Sequence, residues 1–501
     1  MARNSIEEVF DVVVIGGGGS GLAAAIEARE AGARVVLLEK NPKLGGSTAW
    51  SIGSISATQT PHQRAKGVED NPLQHWEDMP KFATGMNRED NDALRKILCD
   101  EVPAAFQWLL DSGVRFMGPM PEPPHRLPRM HNVLPNSRSY IYHLERRARR
   151  DGVDIRCNAP VPELVLDKGR VIGAKVQLDG RDAFVRGVNG VILAAGDFTN
   201  SPELKARFMG PREAKVEAIN MTATGDGQKM AEALGATVLN GDLALGPELR
   251  FIPPAKETLV RRLPPWRALA VFMQWSMSHV PQAILRPFLM QFLTTALAPS
   301  LSLFEAGAVL VNQDGKAVRD APQKLAYALA DEPGNRGWII FGSEIARRFS
   351  AWPDFISTAP GVAYAYLADY ARNRKDIYTR ADAIPALAAQ LHMKDSLLRE
   401  ALGEHPMPGP YVALGPVRSV FVHNEGGLKV DTSHRVLGAD DQPIEGLYAV
   451  GSTGQGGLLL KGHGHHIAWA FVSGRRAGKL VASLPRERRQ PPAPATPGEA
   501  A

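Results

Sequence analysis

The stretch Asp11-Val-Val-Val-Ile-Gly-Gly-Gly-Gly-Ser-Gly21 decides how the rest of the chain is read. Asp11 to Ile15 form a short β-branched apolar run, which is a buried strand. Leu22 to Ala31 are strong helix formers, closed by Gly32 where a helix is expected to end. Between them Gly16, Gly18 and Gly21 keep the spacing G-x-G-x-x-G. In that context the first glycine makes the tight turn, the second admits a pyrophosphate, and the third lets helix and strand close on each other. The helix start offers N–H groups and a positive dipole end to phosphates. Arg34 to Leu38 read as a second buried strand, ended by Glu39, where a carboxylate binds ribose hydroxyls and disfavours a 2′-phosphate. Strand, helix and strand therefore open a parallel α/β sheet.

Working outward, a second small-residue loop, Lys43-Leu-Gly-Gly-Ser-Thr48, follows directly on Glu39-Lys40. A nicotinamide dinucleotide does not require such a loop, whereas FAD is longer and brings its ribityl chain past it. Ala195-Gly196 after the apolar run at Val191, Thr224-Gly-Asp-Gly227, and Gly451 to Gly457 after the run at Leu447 add further small-residue turns at strand ends. Those ends are where an α/β sheet binds its ligand. The cofactor expected is FAD. The residues expected to face it are Gly16, Gly18, Gly19, Ser20, Gly21, Glu39, Lys40, Gly45, Gly46, Ser47, Thr48, Gly53, Val161, Ala195, Gly196, Asp226, Gly451, Ser452, Gly464, His465, His466 and Ile467.

The segment from Gly152 to Gly190 reads as several strands, Val161–Leu166, Val171–Leu178 and Phe184–Val188, with turn residues between them. From about Leu243 the texture changes. Prolines cluster at Pro253-Pro254 and Pro264-Pro265, and Leu269 to Leu303 is rich in Phe, Leu, Met and Trp. Arg286, Pro281 and Pro287 interrupt that stretch, which argues against a spanning helix. From Gly426 the β-rich reading returns, and a last helix is expected from His466 to Ala482. The fold class is α/β: a discontinuous Rossmann-like FAD-binding domain, 1–245 and 386–485, with an inserted α+β capping domain at 246–385. The charged and proline-rich tail, 486–501, is expected to be disordered.

Taken together, the run Asp11 to Gly21, Glu39-Lys40, Gly45-Gly-Ser-Thr48, Thr224-Gly-Asp-Gly227, Gly426-Gly-Leu-Lys-Val-Asp431 and Gly446-Leu-Tyr-Ala-Val-Gly451 resemble the fumarate reductase/succinate dehydrogenase flavoprotein family, which includes ketosteroid dehydrogenases. The resemblance spans about 10 to 482. It implies a flavin domain interrupted by a cap, with substrate held between cap and isoalloxazine. It also implies that the N–H groups opening the last helix face the flavin's pyrimidine edge.

Departures from the family's pattern set the chemistry expected here. Where a fumarate reductase carries its acid-donating Arg, this chain has Gly315-Lys-Ala-Val-Arg-Asp-Ala321 and reaches Leu325 at the expected position. A second substrate Arg is replaced by Lys461, three residues before Gly464. Lysine keeps the charge and loses the planar fork. The Tyr of ketosteroid dehydrogenases is absent from Leu458-Leu-Leu-Lys-Gly-His463. The catalytic candidates are thus Lys461, His463, Tyr411 and His131, each with a plainer alternative: a solvated lysine, a helix-capping or packed histidine, a packed tyrosine, a proline-stiffened surface loop at 121–131. The loop Ser47-Thr-Ala-Trp-Ser51 lacks the histidine that attaches flavin covalently in succinate dehydrogenases, so FAD is expected to be non-covalent.

Two cysteines exclude a disulfide scaffold and a cysteine-built metal site, and no metal is expected. A net charge of +5 without a basic stripe interleaved with aromatics gives no support to nucleic-acid binding. The function expected is α,β-dehydrogenation of an apolar carbonyl compound, cyclic or open-chain, with hydride passing to flavin N5. The alternatives are reduction of an activated C=C bond and a membrane-surface flavoprotein subunit. The partners expected are a small-molecule substrate and an external electron acceptor, namely oxygen, a quinone or a carrier protein, since no haem-attaching C-x-x-C-H occurs. No secretory signal is legible, so a cytoplasmic site, with contact to a membrane surface as an option, is the default.

Overall fold

In the computed structural model, residues 6–485 are described except 89, 179, 256–261, 282–284, 287–289, 292–293, 296, 360–362 and 404–406. The tail expected to be disordered lies outside the described residues.

The apolar run ending at Ile15 belongs to strand Ile6–Ile15, at the middle of an eight-stranded sheet. It pairs in parallel with Val35–Leu38 on one side and Arg181–Leu193 on the other. Asp154–Arg156 and Pro443–Ala449 extend the parallel sheet outward in the two directions. Val12, Val13, Val14, Val36, Leu37 and Val191 are completely buried. Each such side chain contributes roughly 1.5–3 kcal/mol, so a charge at Val13 would break the sheet. The helix Gly19–Glu30 and the final helix His465–Ala482 lie together against this sheet, with Leu22, Ile26, Trp469 and Phe471 buried in the same core.

The runs Phe184–Val188 and Val191–Ala195, expected as separate strands, are one strand, Arg181–Leu193. Asn189, which reads as a turn residue, is buried, and its amide donates to the Val481 carbonyl at 2.8 Å. The amide nitrogen is thereby bonded to the last helix, and the strand runs on through this position.

A second sheet of six strands carries the inserted region. Its long strand Tyr411–Phe421 pairs with Gly337–Phe341, Glu248–Phe251, Tyr378–Ala381 and Glu217–Ala218, and Gly337–Phe341 pairs on with Val309–Asn312. This sheet reaches past the boundary expected at 385. Helices Ile384–Leu391 and Asp395–Gly403 pack with Val309, Val311, Ile340 and Ala413 of this sheet, and its strands run to Phe421. Residues 411–421 are a largely apolar run around Gly415-Pro416, and such a run does not reveal which sheet it joins. A third, three-stranded antiparallel sheet, Ser54–Ser56, Met130–Leu134 and Arg115–Met120, sits beside the flavin-type domain and supports helix Arg267–His279. Among the described residues no helix is long and apolar enough to cross a membrane.

Candidate active site

The turn between Ile6–Ile15 and the first helix has the geometry its glycines require. A Cβ at Gly16, where φ is +111°, would stand 2.3 Å from the Ala194 carbonyl oxygen, and one at Gly21 would stand 1.9 Å from the Gly16 carbonyl oxygen. Both positions are set by backbone closeness. A Cβ at Gly18 would meet nothing nearer than the Gly45 carbonyl oxygen at 3.9 Å. Gly18 thus borders open space, the room a phosphate needs at a helix start.

That space is one end of a cleft along the carboxyl ends of the parallel strands. Its wall includes Gly16 to Ser20, Glu39, Lys40, Gly46 to Thr48, Val161, Ala195, Gly196, Asp226, Ser452, His466 and Ile467. Glu39 ends Val35–Leu38 with its carboxylate fixed. One oxygen accepts from the Gly17 N–H at 2.7 Å, the other from the Asn41 N–H at 2.8 Å and Asn41 Nδ2 at 2.7 Å. Lys40 donates to Asp226 at 2.8 Å and Thr224 at 2.6 Å, tying two walls together. Thr48 accepts from the Gly19 N–H at 3.1 Å.

Gly21, Gly45, Gly53, Gly451, Gly464 and His465, expected to face a cofactor, do not line this cleft. The Gly45 N–H donates to Gly17, the Gly53 carbonyl accepts from Tyr140, and the Gly451 N–H donates to Ser473. A Cβ at Gly464 would collide with the Ser56 nitrogen at 2.4 Å. These residues shape the supporting turns. Gly17, Asn41, Asn220, Thr222 and His423 line the cleft and were not anticipated. Asn220 donates to Ser47 at 2.9 Å. His423 stands just before the Gly426-Gly-Leu motif, and this neighbourhood was its one sequence signal.

At the other end His423 and His466 converge on buried Glu425. Glu425 Oε1 lies 3.8 Å from His423 Nε2 and 3.5 Å from His466 Nε2, and Oε2 accepts from the Leu460 N–H at 3.2 Å and from Gln455. Burial opposes charge on Glu425, but His466 and His423 outweigh it and hold the carboxyl well below its ordinary range. Burial, then the field of His466, lowers the pKa of His423.

His465 turns the other way, into a buried group with His75 and His125. Its Nδ1 lies 2.6 Å from the Lys461 carbonyl and so carries a proton, which leaves Nε2 an acceptor. Arg129 lies 3.0 Å from His125 Nδ1 and can only donate, so His125 carries its proton on Nε2 and gives it to His465 Nε2 at 3.2 Å. The group reads as a hydrogen-bonded chain. A proton on His125 Nε2 is incompatible with metal ligation at that atom.

His463 precedes this helix, half-exposed. Its N–H donates to Glu122 Oε1 at 2.8 Å, and its Nδ1 lies 2.5 Å from the same oxygen. The Glu122 carboxylate raises the His463 pKa. Lys461 is exposed. Two candidates lie away from the cleft. His131 is fully buried, bonded to Thr60 at 3.0 Å and the Arg129 carbonyl at 2.8 Å, and burial, then His62, lowers its pKa to about 3. Tyr411 is half-buried and packs against the second sheet's core, its hydroxyl donating to the Met407 carbonyl at 3.3 Å. Neither lines the cleft, because strand pairing carries each residue elsewhere.

The donors fit FAD. The open space at Gly18 suits a phosphate, the fixed Glu39 carboxylate suits ribose hydroxyls, and the cleft continues past Ser47 and Thr48 to the last helix. By class this is a dinucleotide-binding flavoprotein. The chain belongs to the FAD binding domain family, whose model matches residues 11–255 and 283–459, and its cofactor is FAD.

Among curated relatives, an NADH:fumarate oxidoreductase of Klebsiella pneumoniae is 24% identical over 494 residues, covering 95% of this chain and 48% of that protein. A cytochrome-type fumarate reductase of Shewanella frigidimarina is 26% identical over 509 residues, covering 96% and 78%. This chain therefore spans about half of the first and about three-quarters of the second. A flavocytochrome c3 fumarate reductase in its open conformation shares the fold with a TM-score of 0.71 at 24% identity, over 95% of this chain and 78% of that one.

Proposed function

We propose that the protein is an enzyme that reduces an activated C=C bond in an unsaturated carbonyl or carboxyl compound. FAD, when bound, supplies hydride exchange at its N5. The chain's own part is to hold the electron-withdrawing group and to deliver a proton. The observation that carries this reading is the His463–Glu122 pair. A carboxylate 2.5 Å from the imidazole favours a protonated His463 near neutral pH, and its half-exposure lets water restore the proton. His463 lies three residues before His466, which lines the cleft. Lys461, two residues further back, would stabilise negative charge on the substrate oxygen. The names of the relatives support the reductive direction.

A second reading is the reverse reaction, dehydrogenation beside a carbonyl. One observation favours it: His423 stands 3.8 Å from Glu425 at the helix end of the cleft, where burial and His466 lower its pKa and an imidazole could take up a proton. Turnover of reduced dye with an enoate, against turnover of a saturated ketone with an oxidised dye, distinguishes the two. Activity in neither assay with flavin-loaded protein overturns both. Flavin held non-covalently, an external electron partner and a cytoplasmic site complete the proposal. The first rests on the loop Ser47–Ser51, which offers no histidine.

A further inference from the structure

Helix Arg267–His279 is amphipathic in the wrong sense for a globular surface. Toward the protein it buries Ala270 and Ser276, and it uses Gln274 to donate to the Phe116 carbonyl at 3.1 Å. Toward solvent it shows Phe272 at 61% and Trp275 at 52% exposure, with Trp266 at 59% just before it. Phe272 and Trp275 stack on one another, and Trp275 stacks on His279, all along this outward side. Single exposed apolar residues need no explanation, but a contiguous aromatic face does.

The family model matches residues 11–255 and 283–459, so this helix lies in the segment it does not match.

The surroundings are positive. From Thr258 to Phe304 the sequence holds four arginines, Arg261, Arg262, Arg267 and Arg286, and no acidic residue, with Arg286 paired to Asp369 at 2.7 Å. Arg262 and Arg267 are exposed on the approach to the helix and in its first turn. Across the supporting sheet, Arg115 and Arg146 share a neighbourhood with Arg267 around His143, and Asp111 is the nearby counter-charge. Exposed tryptophan and phenylalanine flanked by arginine match an interface between acyl chains and anionic headgroups.

We propose that the outward face of Arg267–His279, with Trp266, Phe272 and Trp275 as apolar anchors and Arg262 and Arg267 as cationic flanks, docks the protein on an anionic lipid bilayer without crossing it. The aromatic rings enter the headgroup boundary and the guanidinium groups meet lipid phosphates. Neutral bilayers lack the second attraction and bind more weakly.

The test is flotation of the full, flavin-loaded chain with phosphatidylcholine vesicles, with and without phosphatidylglycerol. Co-flotation with the anionic vesicles is expected, weakened by salt. Trp266→Ser, Phe272→Ser and Trp275→Ser combined should reduce it by at least about tenfold. Arg262→Gln with Arg267→Gln should abolish the preference for phosphatidylglycerol. Unchanged flavin content and melting temperature in each variant confirm intact folding, and the arginine pair alone keeps the test decisive if the triple variant fails to fold. The proposal is overturned if the wild type floats with neither vesicle, or if the variants float like the wild type. It is also overturned if light scattering finds a stable dimer that the triple variant dissolves, because a second copy would then cover the face.

Discussion

Replacing Glu39 by Gln isolates the residue that fixes the adenosine end of the cleft. Its carboxylate accepts from the Gly17 N–H on one oxygen and from two Asn41 donors on the other. An amide has one acceptor oxygen, so it can serve Gly17 or Asn41 but not both, and its NH₂ must then face a donor. Two consequences follow. In the apoprotein a buried donor loses its partner, at a cost of about 1–3 kcal/mol. In the complex, the ribose hydroxyls lose a charged acceptor, which is worth about 1.5–3 kcal/mol. At 1.4 kcal/mol per factor of ten, FAD binding should weaken by about 10- to 150-fold. Flavin-fluorescence titration of the apoprotein measures the dissociation constant, and urea unfolding of the same sample measures the stability loss. An FAD affinity within about twofold of wild type, in a variant that is folded, would refute the assignment of Glu39 to the ribose.

The two ends of the glycine turn should separate stability from binding: Gly21→Ala drives a Cβ into the Gly16 carbonyl and should cost about 1–3 kcal/mol in urea unfolding. Gly18→Ala, with open space ahead of it, should cost about 1 kcal/mol or less while greatly reducing the flavin content of purified protein. Because Glu122 raises the His463 pKa, the stability that this pair adds is fully present below the unfolded histidine value of about 6.5 and fades as pH rises through the raised value. In Glu122→Gln the alkaline limb of reductase turnover should therefore move to lower pH, and an unmoved limb removes His463 as the acid. Lys461→Met should lower turnover by about 10²–10³ with flavin content unchanged, and a loss of only a few-fold would place charge stabilisation elsewhere. Acid precipitation should release all the flavin to the supernatant, and yellow colour on the pellet would contradict non-covalent binding.

How far the site could be read from sequence depended on whether a feature is local. The turn from Gly16 to Gly21 and the acid at Glu39 belong to one strand–helix–strand unit, so their spacing along the chain is nearly their spacing in space. Tyr411 and His131 lie away from the cleft for the opposite reason. Strand Tyr411–Phe421 could pair with several partners, and it pairs with Gly337–Phe341 through Ile339 and Leu414, Ile340 and Ala413, and Phe341 and Val412. That choice fixes Tyr411 against the second sheet's core, half-buried, and no pattern within 411–421 records it. His131 likewise takes its place from the pairing of Ile55 with His131 in the small third sheet, where it is wholly buried.

The adjacent histidines at the start of the last helix show the same limit within a single element. His465 and His466 were both expected to face the cofactor, yet successive residues on a helix point about 100° apart. Only one of them can look into the cleft. His466 does so, and meets His423 and Glu425 there. His465 is pointed down into the protein, where His75 and His125 wait. The helix phase is set at Gly464, whose left-handed φ of +91° starts the helix and where a Cβ would stand only 2.4 Å from the Ser56 nitrogen. A Gly464→Ala substitution would therefore act at a distance. By pushing the turn off Ser54–Ser56 it would rotate the helix start, draw His466 from Glu425, and change the cleft end that the glycine itself does not line.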